Sequence, residues 1–215
     1  LGSALAHLHR NRVLHRDLKA QNVFLTLDQQ VKLGDFGVSR VMSAQTSLAQ
    51  TIVGTPFYMS PEVMRSEPYA TASDVWALGV ILYYVLTGKL PFSGKNKFAV
   101  LNKHLNDAPP RPSEIAPGVD VPPALEAVIL KCLNKLPEQR YDSAEDLFEA
   151  LEEAMLARCR DKVPLVRAWA LKGLFRLQDP GVPGDPITAE LLRLMSEDSA
   201  KEVRMAAVST IAPSK

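Results

Sequence analysis

The sequence predicts a mainly α fold with a small β component (α+β), and three features of its hydrophobic pattern carry this prediction. Residues 75–86 are apolar on nearly all sides, which is typical of a helix at the centre of a core. Amphipathic runs with helical spacing lie on both sides of it, whereas the β-prone run 31–33 is short. Helices are predicted for residues 1–10, 71–86, 98–105, 124–136 and 143–156.

Turn and cap residues set the expected ends of these helices. Thr71 or Ser73 is the expected cap of the central helix, which should stop before Gly88. Ser143 is the expected cap of the last of these helices, with acidic residues in its first turn. Residues 107–123 are rich in proline, so we expect them to lack regular structure.

The composition is that of an ordinary globular protein. Apolar residues make up 47% and charged residues 23% of the 215 residues, so disorder is not expected. The net charge of +1 indicates neither a nucleic-acid nor a membrane partner, and run 75–86 is shorter than the ~20 residues that span a bilayer. Cys132 and Cys159 form no CxxC pair, which favours buried thiols in an intracellular, cytoplasmic or nuclear protein.

The first residues place leucines at positions 1, 5 and 8, the spacing of an amphipathic helix. We therefore expect the chain to enter in the middle of a helix and to be truncated at its N-terminus. This helix should lead into a short strand and then into a polar loop that begins at His15.

That loop, residues 15–22, reads His-Arg-Asp-Leu-Lys-Ala-Gln-Asn, and Asp-Phe-Gly follows at 35–37. Phosphoryl transfer is catalysed mostly by positioning and by neutralising phosphate charge, and two acids, an amide and a lysine suit that task. Taken singly, such residues are usually solvated turn residues. Their order here resembles the catalytic and magnesium loops of a eukaryotic-type protein kinase, and Lys19 points to the serine/threonine branch.

The resemblance implies a role for each residue of the site. Asp17 would accept or orient the proton of the substrate hydroxyl, and Lys19 would steady the transferred phosphate. Asn22 and Asp35 would hold the Mg²⁺ ion of ATP, since magnesium prefers oxygen ligands. Phe24 would lie under the adenine ring.

Two further residues, His15 and Phe36, match positions that support the lobe from inside in this family. Phe36 is equally compatible with a simple core aromatic.

Residues 39–53 are polar, lack a clear period and resemble a kinase activation loop. By its place before the next motif, Thr51 matches the main activating phosphosite, with Ser47 and Thr46 as weaker candidates. Arg16 is the arginine that would receive the phosphate. The alternative is a surface loop without modification.

The segment 54–62 reads Gly-Thr-Pro-Phe-Tyr-Met-Ser-Pro-Glu and is as specific as the first motif. The resemblance implies that Thr55 lies in the wall that receives the substrate residue after the phosphoacceptor and contacts the catalytic acid and lysine. Glu62 would form a buried ion pair with Arg140, and Asp74 would accept hydrogen bonds from the backbone of the catalytic loop. These last three residues are therefore structural supports.

Within protein kinases, residues 15–26 and 53–62 look most like the NIMA-related group. Phe24 strengthens that choice, because many kinases have leucine at this place. The resemblance covers about residues 1–155, the large lobe.

After a linker at 156–160, residues 161–215 have a different character. Val166–Arg167 recurs as Val203–Arg204, an offset of 37 (203 − 166), and an alanine-rich helix accompanies each pair. A period in this range with paired helices is typical of a HEAT-type solenoid, and the wording resembles the HEAT-repeat G subunit of condensin. Positions 166, 170, 174 and 177 should form one buried helix face. The alternative is a generic helical hairpin attached to the lobe.

The sequence therefore predicts the large lobe of a serine/threonine protein kinase without its small lobe, followed by a short HEAT-like segment. It contains no glycine-rich G-x-G-x-x-G loop to cover the phosphates, so we expect the chain alone to be nearly inactive. The cofactors implied are ATP and Mg²⁺, and the partner is a protein substrate with Ser or Thr.

Two other interpretations remain open at this point. The chain could be a non-enzymatic scaffold, a condensin-like chromosomal factor that carries a partial kinase lobe and meets its partner through the HEAT-like tail. Alternatively, the junction near residue 160 results from the joining of two genes, which a transcript read across codons 150–170 would reveal.

Overall fold

The computed structural model describes residues 2–27, 31–34, 56–175 and 185–211. The chain divides into two compact units, Leu1–Phe148 and Glu149–Lys215. The core of unit 1 is aromatic and aliphatic and centres on Trp76, whereas that of unit 2 consists of small and aliphatic side chains around Leu171. The boundaries expected from the sequence, with the kinase lobe ending at 155 and the HEAT-like segment starting at 161, stay predictions.

In its described ranges, unit 1 is helical apart from one small sheet, in agreement with the mainly α prediction. Its helices are α1 (Gly2–Arg10), α2 (Pro61–Met64), α3 (Thr71–Thr87), α4 (Lys97–Asn106), α5 (Pro112–Ile115), α6 (Pro123–Cys132) and α7 (Ala144–Arg158), which continues into unit 2, with 3₁₀ turns at Ala20–Asn22 and Pro137–Gln139. Strands β1 (Val23–Leu25) and β2 (Val31–Leu33) pair antiparallel, with Phe24 opposite Lys32.

The strand predicted between α1 and the catalytic loop is wrong. The backbone N–H groups of Asn11, Arg12 and Val13 all donate back to carbonyls of α1. Arg12 also adopts a left-handed φ of 58°, which a strand does not accommodate. The backbone donors that a strand would need are therefore used to close the helix end.

Helix α3 is the central buried helix, and it ends as predicted, with Gly88 in the left-handed region at φ 69°. Its predicted caps are wrong, because the cap position is Ala70. The Thr71 hydroxyl donates instead to the carbonyl of Asp142, and the Ser73 hydroxyl donates to Glu62. The Ser73 hydroxyl also accepts a hydrogen bond from the Ala70 N–H at 3.4 Å, so it still helps to close the helix start. The Thr71 hydroxyl is taken by a long-range partner.

The helices after α3 follow the prediction with two corrections. The Ser143 hydroxyl accepts a hydrogen bond from the Asp146 N–H, so this cap is confirmed. Residues 107–123 contain the one-turn helix α5, which starts at a proline. Helix α6 ends at Cys132 and not at Leu136, because the proline at 137 disfavours helical geometry in the residue before it.

Unit 2 contains the end of α7 and three further helices, α8 (Pro164–Phe175), α9 (Pro186–Glu197) and α10 (Lys201–Ile211). Ala170 and Leu174 are buried, as predicted for one face of α8, whereas Val166 is half-buried and residue 177 lies outside the described ranges. The helices of this unit bury their apolar faces against one another.

Both cysteines are buried, and burial raises the pKa of each thiol to about 12. Because the thiolate is the reactive form, we expect Ellman's reagent at pH 8 to react with Cys132 and Cys159 at least ~10³-fold more slowly than with a free cysteine. Both should become fully reactive in denaturant. Rapid reaction of either thiol in the native protein would contradict this assignment.

Candidate active site

The predicted catalytic loop is fixed by a buried carboxylate on α3. Asp74 is fully buried, and its Oδ2 and Oδ1 accept hydrogen bonds from the backbone N–H groups of His15 (2.9 Å) and Arg16 (3.2 Å). Arg16 has a left-handed φ of 64°, a conformation that costs a non-glycine residue energy and persists only where the surroundings impose it. The structural role predicted for Asp74 is supported by these contacts.

The side chain of His15 links this loop to the residue before Asp35. Its Nε2–H donates to the carbonyl of Gly34 (3.2 Å), and its Nδ1 accepts from the N–H of Asp17 (3.3 Å). The Gly34 N–H in turn donates to the carbonyl of Asn22 (3.0 Å). Two elements that are distant in sequence are thereby held side by side.

Asp17, Lys19 and Asn22 come together at the edge of this loop. The Lys19 ammonium donates to Asp17 Oδ2 at 2.6 Å, and the Asn22 amide donates to the same oxygen at 3.3 Å and to the Asp17 carbonyl at 2.8 Å. The side chain of Asp17 is 34% exposed. Within the described part of the chain, these side-chain contacts of the Asp17 carboxylate fall on Oδ2 and leave Oδ1 unengaged by Lys19 and Asn22.

Asn22 suits a magnesium site. The residue is buried, and its amide nitrogen donates to Asp17, which leaves the amide oxygen available as a ligand atom. Magnesium binds such oxygens, usually with one or two carboxylates and phosphate oxygens. The second predicted ligand, Asp35, lies outside the described residues.

Phe24 lies on β1 with half of its side chain exposed. A Cβ added at Gly34 would approach its ring to 2.7 Å, so the absence of a side chain at Gly34 makes room for the ring beside the predicted magnesium loop.

Several predicted site residues lie in parts of the chain that the structure does not describe. Phe36, the phosphosite candidates Thr46, Ser47 and Thr51, and Thr55 of the substrate wall all lie outside the described residues. Arg16 is placed by its backbone, and its role as a phosphate receiver stays a prediction.

The predicted pair of Glu62 and Arg140 forms a buried two-pronged ion pair. The Arg140 Nη1 and Nη2 groups donate to Oε1 and Oε2 of Glu62, each at 2.8 Å, and the side chains are 0% and 4% exposed. Burial alone would raise the pKa of Glu62, but the hydrogen bonds and charge of Arg140, with the Ser73 hydroxyl, outweigh it and lower that pKa. Such charge-assisted bonds join α2 to the segment after α6.

The guanidinium of Arg140 is also satisfied by three backbone carbonyls, those of Ala72, Asn134 and Lys135. It stacks over Trp76 at 5.0 Å. One side chain therefore connects α2, α3 and the chain after α6.

Sequence reasoning missed four polar residues that support the site. His9 Nε2–H (2.9 Å) and the Tyr69 hydroxyl (2.5 Å) both donate to Asp74, and Ser73 donates to Glu62. His104 contacts the Met59 carbonyl through Nδ1 (3.0 Å), next to the predicted substrate wall, and burial lowers its pKa to about 4, which keeps the ring neutral. No local pattern marks these residues, because each acts across a long sequence separation.

A cavity of about 420 Å³ lies beside the catalytic loop. None of its lining residues carries a charge, and three of them are aromatic. They are Ala20, Gln21, Phe57, Tyr58, Tyr84 and Leu90. One of these lining residues, Ala20, directly follows Lys19 in the chain.

Replacing Asp74 by alanine should destabilise unit 1 by roughly 4 kcal/mol or more, because it leaves two loop N–H groups, His9 and the Tyr69 hydroxyl without their acceptor and each buried donor so left costs about 1–3 kcal/mol. Tyr69→Phe removes one hydrogen bond to a charged group and leaves the loop contacts in place, so its cost should stay at about 1.5–3 kcal/mol. Urea unfolding monitored by tryptophan fluorescence measures both. Equal costs for the two variants would show that Asp74 does not organise the loop.

Comparison with known proteins places this geometry in a family. The chain matches the protein kinase domain family over residues 1–151. It is 40% identical over 146 residues to the serine/threonine-protein kinase PknB of Mycobacterium leprae, which covers 67% of this chain and 23% of that protein. It is 50% identical over 93 residues to the serine/threonine-protein kinase Nek1 of Mus musculus, covering 43% and 8% respectively.

A third relative is the serine/threonine-protein kinase PrkC of Bacillus subtilis, 36% identical over 146 residues, with 67% of this chain and 22% of that protein covered. The chain thus spans less than a quarter of the length of these relatives. Fold and similarity agree on a protein kinase domain. The chain belongs to the protein kinase family.

No helix among the described residues is both long enough and apolar enough to cross a membrane.

Proposed function

We propose that unit 1 is the catalytic large lobe of a serine/threonine protein kinase, which transfers the γ-phosphate of ATP to protein Ser or Thr hydroxyls. The observation that carries the proposal is the position of the Asp17 carboxylate. Its Oδ2 accepts hydrogen bonds from Lys19 and Asn22, and the backbone of its loop is hydrogen-bonded to the buried Asp74. The names of the relatives support the serine/threonine class.

Each residue then has a chemical task. Bound Mg-ATP supplies the phosphoryl group and the charge neutralisation that the metal provides. Asp17 accepts the proton of the incoming hydroxyl or orients that hydroxyl, and Lys19 balances the negative charge of the transferred phosphate. Asn22 offers its amide oxygen to the metal together with Asp35.

The exposed apolar side chains of the β1–β2 hairpin support the expectation that this lobe is half of a nucleotide site. On one face of the hairpin, Leu25 and its cross-strand partner Val31 are 70% and 43% exposed, and Phe24 is half exposed on the opposite face. Exposed large apolar side chains of this kind mark surfaces that another element or a ligand covers. We propose that a second lobe and the adenine ring cover them, and we expect the 215-residue chain alone to transfer phosphate very slowly.

The uncharged cavity next to Lys19 favours a particular kind of substrate. Ala20 and Gln21, which line the cavity, follow Asp17 by three and four residues on the same loop, so we infer that a peptide whose hydroxyl reaches Asp17 also contacts the cavity. Aromatic lining without charge suits an apolar side chain. We therefore propose that this kinase prefers substrates with an apolar residue near the phosphoacceptor to substrates with a basic residue there.

The NIMA-related subgroup is the proposed branch. Its support is the 50% identity to mouse Nek1 and human Nek5 over 93 residues each and Phe24 on β1. The bacterial relatives match a longer part of the chain at lower identity.

The experiment joins this chain to the N-terminal lobe of mouse Nek1 and supplies radiolabelled ATP, Mg²⁺ and peptides with Ser, Thr or Tyr acceptors. We expect phosphoserine and phosphothreonine, with faster reaction when a Leu or Phe flanks the acceptor. Phosphotyrosine as the main product would contradict the serine/threonine assignment. If the chimera binds Mg-ATP but transfers no phosphate to any peptide, the proposal that this lobe is catalytic would be contradicted.

Unit 2 favours a second, additional role as a HEAT-like interaction module. The supporting observation is a turn with the same hydrogen bonds at Asp161 and Asp198, 37 residues apart. A condensin-like or chromatin partner and the scaffold interpretation of the whole chain rest on the sequence resemblance.

A further inference from the structure

The side chain of Lys135 closes the C-terminal end of α4. Its ammonium donates to the backbone carbonyls of His104 (2.7 Å) and Lys103 (3.1 Å), which lie in the last turn of that helix. Carbonyls at this end of a helix have no partner within it, and the helix dipole favours a positive charge beside them. The His104 ring in turn contacts the Met59 carbonyl at 3.0 Å, so this turn of α4 reaches the segment next to the predicted substrate wall.

The ammonium of Lys135 lies against aromatic side chains. Its Nζ is 4.0 Å from the centroid of the Phe92 ring and 5.1 Å from that of the Trp76 ring, and both residues are buried. Such rings attract the cation, but they also exclude water from it. In the part of the chain that the structure describes, no carboxylate forms an ion pair with this ammonium, whereas the Lys19 ammonium contacts Asp17 at 2.6 Å.

The charged groups around Lys135 favour the neutral amine. Burial lowers the pKa of the Lys135 amine to about 8. The positive charges of Arg140 and Arg65 act in the same direction, and the negative charge of Asp107 acts against them. His104 adds no charge, because burial lowers its pKa to about 4. At pH 7.5 roughly a quarter of the amine is therefore neutral, compared with about 0.1% for a lysine of ordinary pKa.

We propose that Lys135 is an acylation site that takes small acyl groups from thioesters, and that its acylation removes the cation that closes α4. The neutral nitrogen attacks the carbonyl carbon of the thioester, the N–C bond forms as the C–S bond breaks, and the departing thiolate takes up the proton that the nitrogen loses. The residue is half-buried, so we expect a group as small as acetyl to reach it. The inference is independent of phosphoryl transfer.

Acylation should loosen α4. The product amide has one N–H in place of three and carries no charge, so it cannot satisfy the carbonyls of Lys103 and His104 as the ammonium does. We expect hydrogen exchange of the α4 amides to become ~10-fold faster, because local opening of the helix then costs less. The contact between His104 and Met59 should weaken with it.

The test incubates the native 215-residue chain with acetyl coenzyme A and measures the acetylation of each lysine by mass spectrometry. Lys131 is the internal control, because its ammonium also lies over an aromatic ring, that of Tyr141 at 4.1 Å, but the residue is exposed. At pH 7.5 we expect Lys135 to react ~10-fold faster than Lys131. The rate at Lys135 should level off above about pH 8, whereas that of a lysine in an unstructured peptide rises to about pH 10.

Equal rates at the two lysines, or a rate at Lys135 that still rises beyond pH 9, would overturn the site. Reaction of Lys135 only in urea would overturn it as well, because the native amine would then be inaccessible. Lys135→Gln imitates the acetylated residue and should speed exchange of the α4 amides, whereas Lys135→Arg keeps the charge and Lys131→Gln leaves α4 untouched. Equal exchange in all three variants would show that the cation does not close the helix.

Discussion

Replacing Asp17 by asparagine is expected to lower the rate of phosphoryl transfer by about 10²–10⁴-fold in the chain joined to a kinase N-terminal lobe. Asparagine keeps the size of the side chain and can still contact Lys19, but it cannot accept the proton of the substrate hydroxyl. The Mg-ATP dissociation constant should change little, because Asn22 and Lys19 remain. Initial rates with a peptide substrate, together with nucleotide binding by calorimetry, separate the two effects.

Asp107→Asn is the matched control for Asp17→Asn, because it makes the same chemical change at an exposed position after α4. We expect it to keep full activity. A rate for Asp17→Asn within about threefold of the control would remove Asp17 from the proton-transfer step, since that step should contribute at least ~10²-fold.

Glu62→Gln is expected to destabilise unit 1 by about 3–5 kcal/mol, because it leaves the fully buried guanidinium of Arg140 without a counter-charge. Urea unfolding at pH 7 measures this loss. The control is Glu145→Gln, whose partner Arg10 lies at 3.6 Å with both side chains about half exposed. A surface pair of this kind is worth about 0–1 kcal/mol, so a similar cost for both variants would contradict the role of the buried pair.

The pH dependence gives the same pair a second signature. The pKa of Glu62 is lower in the folded protein than its ordinary value of 4.5. Its contribution to stability is therefore present above pH 4.5 and is lost as the pH falls through the folded pKa. The free energy of unfolding of the native protein should therefore decrease as the pH falls below 4.5. The decrease should be smaller in Glu62→Gln, which lacks this carboxylate.

The sequence predicts the parts of this protein that depend on local pattern. The helices predicted at 1–10, 71–86, 98–105 and 143–156, the hairpin strand at 31–33 and the cap at Ser143 follow from spacing and cap chemistry, and the structure confirms them. The pair of Glu62 and Arg140 is also found, although only because the family resemblance connects two distant positions.

The failures occur where tertiary contacts override local preference. Thr71 has good cap chemistry, but its hydroxyl donates to the carbonyl of Asp142. The Ser73 hydroxyl accepts from the Ala70 N–H at the helix start but donates to the distant Glu62. The predicted strand after α1 is lost because its N–H groups close the helix. His9 and Tyr69 carry no sequence signal, since their contact with Asp74 exists only once α1 and the start of α3 are packed together.

The central claim is that residues 15–35 hold a magnesium nucleotide, and it can be tested in the 215-residue chain itself. Mn²⁺ with ATP is a paramagnetic substitute for Mg-ATP and broadens NMR signals of nearby groups even when binding is weak. We expect selective broadening of the Asn22 side-chain amide and of the Gly34 amide, and loss of the effect in Asn22→Ala. Broadening that is uniform over both units, or that persists unchanged in Asn22→Ala, would contradict the claim.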